Sequence, residues 1–255
     1  AWRWASRRFS TVHEEWFSRE FTYAHRCAER AKRFIKNHAN EDYLLVVSFD
    51  EPHSPALCPP EFYEPFKDHV PAVHPNMDDD LTDKPFSQRL WAEDPHVGLG
   101  TAASPSEIVG RVAESTRRNL AAASFVDALI GEITEAISVS APKATVLYTA
   151  DHGDLNGNHR LRGKGSAMYE ENIRVPLIAA GGAVASTPAV YHRPVSQISI
   201  TPTILDFFSV PGTQYIEGES LLPVFRSPEK LIGEHVFVEF SRFQITRDTF
   251  GGFQP

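Results

Sequence analysis

Asp151-His152-Gly153-Asp154 sets a carboxylate beside an imidazole, and Gly157-Asn158-His159 and Gly163-Lys164-Gly165 follow within a few residues. A carboxylate next to an imidazole at the end of a strand can share one divalent cation. Where oxygen ligands predominate, the hard ions Ca²⁺, Mg²⁺ and Mn²⁺ suit such a site. Two ligands are too few, so further carboxylates have to come from elsewhere. Lys164 lies thirteen residues beyond Asp151 in a glycine-flanked loop. From there its ammonium can return to pair with a bound oxyanion and oppose charge build-up in a transition state. A second polar run, Asp50-Glu51-Pro52-His53-Ser54-Pro55, holds an imidazole between prolines, where it can give a hydrogen bond or a proton to a leaving oxygen. Each group has a plainer reading beside this one: Asp-His-Gly alone also describes an ordinary turn, Lys164 a solvated charge, and His53 an imidazole bonded to backbone. Gly163-Lys164 is not a phosphate-binding loop, because Asn158 stands where its first glycine belongs and Gly165 where its hydroxyl residue belongs. The chain has no Gly-x-Ser-x-Gly elbow and no His-Glu-x-x-His helix, which removes two common hydrolase mechanisms.

Buried strands and amphipathic helices must position these residues. A helix is expected from about Thr11 to His38, opened by the capping-box spacing of Thr11 and Glu14 and carried by Trp16, Phe17, Ala24, Cys27, Ala28, Ala31, Phe34 and Ile35. Tyr43 to Phe49 reads as a strand covered on both faces. Residues 50–103, rich in proline, aspartate and aromatics, read as an ordered excursion over the sheet edge, tethered by Phe62, Tyr63, Phe66, Phe86, Leu90 and Trp91. Ser104-Pro105-Ser106-Glu107 starts a helix that Ile108, Val109, Val112, Leu120, Val126, Ile130, Ile133 and Ile137 carry to about Ser138, before Pro142. Strands are expected at Thr145 to Thr149, Pro176 to Ala180 and Val236 to Phe240, and a helix from Thr201 to Phe208. Helix alternating with buried strand is the rhythm of a mostly parallel α/β sheet, whose ligands bind beyond the carboxyl ends of the strands. Asp151 and His53 both follow such ends.

Composition limits the alternatives. At 255 residues with 42% hydrophobic and 23% charged residues, the chain can bury a substantial core. A formal charge of −8 argues against a nucleic-acid partner. No run of about 20 apolar residues is present, so no transmembrane helix is expected. The chain opens on Ala1-Trp2-Arg3-Trp4 without a methionine or an apolar leader, so its compartment is not readable from this end. Cys27 and Cys58 make neither a disulfide framework nor a thiolate metal site, and both read as free thiols.

Taken together, these residues resemble the sulfatase family of the alkaline-phosphatase superfamily. Tyr148 to Gly165, then Tyr169-Glu170-Glu171 and Ile173 to Ile178, are similar to that family's strand, metal-ligand pair, glycine–histidine and Gly-Lys-Gly series in order and spacing. Pro52-His53-Ser54-Pro55, Pro202 to Asp206 and Gly218 to Pro223 resemble further family segments. The likeness covers roughly residues 13–250. It implies a three-layer α/β/α sandwich of alkaline-phosphatase type, partial here, with residues 1–225 in the main domain and 226–255 beginning a small C-terminal subdomain. It also implies that Asp151 and His152 ligate the metal, most simply Ca²⁺ with Mn²⁺ or Mg²⁺ as alternatives. Lys164 would contact the sulfate and His53 the sulfate or leaving group, with His159 either steadying a neighbouring site residue or touching the substrate. Arg162 stands where an aromatic is frequent, adding positive charge that suits either an acidic or polysulfated substrate or simply a solvated surface.

The family's nucleophile is a formylglycine made from a cysteine in a Cys-x-Pro/Ala-x-Arg motif. Neither Cys27 nor Cys58 fits it. The resemblance therefore places the nucleophile, and an early aspartate pair, before the region where this chain begins, and residues 1–255 alone are expected to be inactive. The implied activity is hydrolysis of a sulfate ester on a small molecule or carbohydrate. A phosphonate monoester or phosphodiester hydrolase, and a non-catalytic fragment, are the alternatives.

Overall fold

A computed structural model describes residues 18–94, 98–164, 167–212, 214–230, 232 and 235–239. The chain divides into two compact units that interleave in sequence. The first comprises Ala1–Ala141, Asp154–Ala167 and Ile245–Pro255, and the second Pro142–Gly153 and Met168–Gln244.

In the first unit, α1 spans Tyr23–Asn37. Thr22 starts it, its hydroxyl oxygen accepting from the His25 amide at 3.1 Å, which satisfies one of the free N–H groups of the first turn. The expected start at Thr11 lies outside the described residues. Ala24, Ala28, Ala31 and Ile35 are the buried stripe, and α1 packs against the later helix α4, with the three alanines allowing close approach. Glu132 of that helix binds both Arg19 and, at 2.8 Å, Lys32.

Residues 43–49 form no helix and no strand ladder among the described residues. Alternate side chains are half-buried while Leu44 and Val46 are exposed, so the segment is covered on one face and not on both. The stretch that follows contains α2 (Pro60–Tyr63) and α3 (Phe86–Glu93). Its tethering differs from the expectation of an excursion over a sheet edge. Met77, Leu99 and Ala103 form one buried cluster with Ile108, Val109 and Val112 of α4, and Phe62 lies 5.0 Å from Phe125 between ring centroids. Phe86, expected as an anchor, is exposed.

α4 spans Pro105–Ser140, 36 residues or about 54 Å at 1.5 Å per residue. Its capping box forms as the sequence predicts, with Ser104 and Glu107 each bonding the other's backbone amide. The buried face is Ile108, Val112, Ala121, Phe125, Leu129 and Ile133 at helical spacing.

The second unit holds β1 (Thr145–Thr149), α5 (Glu170–Ile173), β2 (Leu177–Gly181), α6 (Ile200–Phe207) and α7 (Leu222–Arg226). The alternation of strand and helix is the expected α/β pattern. The one ladder among the described residues runs antiparallel, Thr145 opposite Gly181 and Thr149 opposite Leu177, whereas the alternation had suggested parallel neighbours. α6 is tied to the start of α7 through Thr203, whose hydroxyl accepts from the Leu221 amide at 2.8 Å and donates to the Ser199 carbonyl at 2.5 Å. The strand expected at Val236 does not form over residues 235–239, where Phe237 is 92% exposed and so lacks the neighbours that hold an apolar strand in place. Phe240 lies outside the described residues.

Candidate metal and anion site

The second unit carries the donor pair. β1 ends at Thr149, and the Gln197 side-chain amide donates to the Thr149 hydroxyl at 3.3 Å and to the Ala150 carbonyl, which fixes the exit of the chain toward Asp151. The Asp151 carboxylate accepts from the His152 amide at 2.9 Å, and its side chain is 85% exposed. His152 Nδ1 lies 2.8 Å from the Gly153 carbonyl. A carbonyl only accepts, so Nδ1 carries the hydrogen and Nε2 keeps its lone pair in the neutral ring. This is the tautomer in which histidines commonly ligate metals. Nε2 and Asp151 Oδ2 stand 3.4 Å apart.

The loop can take this path because residue 153 is glycine. The Gly153 amide donates to the Asn172 carbonyl at 2.9 Å, and a Cβ there would lie 1.8 Å from the Glu171 carbonyl oxygen. Glycine is thus required by close backbone approach to α5. Among the described residues no three His, Cys, Asp or Glu side chains gather closely enough to hold a metal ion. Asp151 and His152, one hard oxygen and one nitrogen donor, are the pair that the sequence resemblance assigns to a metal, and the described residues bring no third such side chain to them.

The first unit carries the candidate cations Arg162 and Lys164 and the candidate histidines His53 and His159. Residues 154–163 fold back on themselves: the Leu155 amide donates to the Gly163 carbonyl and the Gly157 amide to the Leu161 carbonyl, both at 2.8 Å. Leu155 and Leu161 are buried, and Leu161 bridges Gly98. His159 and Arg160 adopt positive φ, 52° and 59°, which turns both side chains toward residues 76–103.

There His159 Nδ1 donates to Asp79 Oδ2 at 2.8 Å and Nε2 lies 3.4 Å from Asn76 Nδ2. Arg160 is buried, its Nε donating to the Asp79 carbonyl at 2.7 Å and a terminal nitrogen to the Ala103 carbonyl. Burial pushes the Asp79 carboxyl up, but the bonds from His159 and the Leu81 amide outweigh it and hold Asp79 below the usual range. Asp79 and Arg160 carried no signal of this role in the sequence.

Arg162 donates to the Gly98 carbonyl at 3.3 Å. Lys164 is exposed and forms no ion pair with a described residue. His53 is exposed too, in a turn closed by its amide donating to the Asp50 carbonyl at 2.9 Å and the Ala56 amide donating back to it at 2.8 Å. Its Nδ1 donates to the Ser54 carbonyl at 3.0 Å, so Nε2 can give up a proton only from the imidazolium form. The adjacent Glu51 was not singled out by the sequence. One of its oxygens accepts from the Ala24 amide at 3.4 Å, and burial pushes its carboxyl up. Thus His53, His159, Arg162 and Lys164 belong to the first unit, and Asp151 and His152 to the second.

A family model described as Sulfatase matches residues 4–210. The chain is 36% identical over 242 residues to the uncharacterized sulfatase YidJ of Escherichia coli K12, an alignment covering 92% of this chain and 44% of that protein. A solved structure in complex with D-glucosamine-2-N,6-O-disulfate, described as its substrate, superposes with a TM-score of 0.66 at 18% identity, over 80% of this chain and 52% of that one. A phosphonate monoester hydrolase from Silicibacter pomeroyi superposes with a TM-score of 0.66 at 22% identity, over 82% and 42%. These structural likenesses show the fold, the α/β architecture of alkaline-phosphatase type. The chain spans about half the length, or less, of the relatives it matches.

Proposed function

The chain belongs to the sulfatase family, and we propose that in the intact protein it carries the metal- and anion-binding residues of an enzyme that hydrolyses sulfate esters on a carbohydrate. The observation that carries this reading is the family match over residues 4–210, which takes in all six candidate site residues. The bound disulfated glucosamine of one structural relative supports a sulfated sugar as the substrate class.

Members of this family generally use a divalent metal ion. In this reading Asp151 and His152 would hold it, as Ca²⁺ by the family resemblance, with Mn²⁺ or Mg²⁺ as the alternatives that carboxylate oxygens suit equally. A divalent ion held by these residues would supply positive charge to offset the negative charge of a bound sulfate. Lys164, exposed and without an ion pair among the described residues, sets its ammonium against the sulfate oxygens as charge grows on them. His53 in its imidazolium form gives its Nε2 proton to the leaving oxygen. His159, with Asp79 and Asn76 at its two nitrogens, supports the loop that presents Arg162 and Lys164, and Arg162 meets further anionic groups of the substrate. The attacking group is a formylglycine supplied from outside residues 1–255. Neither cysteine serves, since Cys27 lies inside α1 and Cys58 is buried.

The phosphonate monoester hydrolase likeness makes the competing substrate explicit. The intact protein is to be assayed on 4-nitrophenyl sulfate and on a phenylphosphonate monoester, before and after chelation. Faster turnover of the sulfate, its loss on chelation and its return with Ca²⁺ are expected, with Lys164→Ala lowering kcat about 10²- to 10³-fold. Preference for the phosphonate, or sulfate turnover indifferent to chelator and to Lys164, would sink the reading.

A further inference from the structure

Within the first unit a cleft of about 470 Å³ is lined by Glu93, Asp94, Gly98, Gly100, Arg111 and Arg162, with Ala92 and Leu99 completing its wall. Its walls are fixed by bonds to backbone. Arg111 donates to the Leu99 carbonyl and Arg162 to the Gly98 carbonyl, while Glu93 accepts from the Thr101 amide at 2.8 Å and from the Thr101 hydroxyl. Both glycines are required by the turn: a Cβ on Gly98 would lie 2.1 Å from the Ala92 carbonyl oxygen, and Gly100 has φ of 86°. Two guanidinium groups beside two carboxylates offer donors and acceptors together, which matches the hydroxyls of a sugar. The planar guanidinium fork matches a carboxylate or sulfate. Among the described residues Leu99 is the one large apolar residue of the lining, and it is itself buried, so an apolar group has little to bury against. Arg162 precedes Lys164 by two residues, which keeps their Cα atoms within about 7 Å.

We propose that this cleft is a carbohydrate subsite, in which Arg111 and Arg162 bind the anionic group, and Glu93 and Asp94 the hydroxyls, of the sugar unit next to the one that loses its sulfate. The inference rests on the sulfatase reading above and extends it to the substrate's second sugar. It requires that the enzyme favour substrates with a negative charge one unit away from the sulfate ester.

The test uses the intact protein and a disaccharide with a sulfate ester on one unit and a carboxylate on the other, paired with its methyl ester. Affinity is measured by calorimetry, and kcat/KM relative to 4-nitrophenyl sulfate. The free acid is expected to bind about tenfold or more tightly than the methyl ester, a charge-assisted contact's worth. Arg162→Ala abolishes that preference while the melting temperature holds, and Arg162→Lys restores it in part. Equal binding of acid and ester by the unmodified protein, or a preference that survives Arg162→Ala, overturns the subsite. The calorimetric arm does not depend on turnover. Acid-selective binding by a protein that cleaves no sulfate ester would retain the cleft and refute the hydrolase reading. Hydrolysis of 4-nitrophenyl sulfate with no acid preference would do the reverse.

Discussion

Asp79 and His159 meet at 2.8 Å across 80 residues of chain, with 17% and 13% of their side chains exposed. The contact joins the loop ahead of α3 to the loop that bears Arg162 and Lys164. The Asp79 carboxyl titrates below its ordinary value of 3.8 when folded. Its contribution to stability is therefore complete above that value and is lost as pH falls through the lower, folded one. Asp79→Asn is expected to cost roughly 1–2 kcal/mol at neutral pH. The gap from the unmodified protein should close in acid, which urea titrations at pH 7 and pH 3 would show; a gap independent of pH would contradict it. Adjacent donors such as Asp151 and His152 are legible in a sequence because the chain itself brings them together. The partnership of Asp79 with His159 was not, because nothing near Asp79 marks which distant loop it will meet. Arg160 shows the same limit: its neighbours in sequence say nothing of the Ala103 carbonyl it binds.

Among the elements, α4 was the most legible, since every signal that starts it is local. Ser104, Pro105 and Glu107 lie within one turn, and their bonds form as their spacing predicts. Removing the cap by Ser104→Ala is expected to cost about 1 kcal/mol. Adding Glu107→Ala should cost less than it does alone, because the two side chains act on one another; additive losses in chemical denaturation would contradict a reciprocal cap. The register of the helix's buried face was harder. Leu120 is partly exposed while Ala121 and Phe125 are buried, because the surface that α4 meets is made by α1 and the 60–103 stretch. Strands were less legible still. Residues 43–49 and 235–239 have strand-like composition without a ladder among the described residues, and the direction of β1 against β2 depends on pairing that no local pattern encodes.

At the scale of the whole molecule, the perturbed carboxyls lie mainly in the first unit and mostly lean one way. In Glu114 and Glu132 burial pushes upward, but Arg118, Tyr63 and Arg117 in one case, and Arg19 and Lys32 in the other, hold the carboxyl below 4.5. Glu107 is lowered by Ser104. Groups with depressed folded values stabilise above the unfolded range and lose that contribution as pH falls through their own. Glu51, pushed up by burial, works in the opposite sense and offsets only part of the loss. The melting temperature is therefore expected to stay nearly level from pH 7 to about 5 and to fall steeply below about 4; a midpoint that rises over that lower interval would refute this balance. The interleaving of the two units could not be read from the sequence, because it is set by contacts and not by the order of elements. It has a consequence for biosynthesis. Leu155 and Leu161, buried in the first unit, are translated only after Pro142–Gly153 of the second. A nascent chain that has released residues 18–141 from the ribosome still lacks the segment that closes its first core. That core must wait, partly open and in need of protection, until the glycine-rich loop emerges.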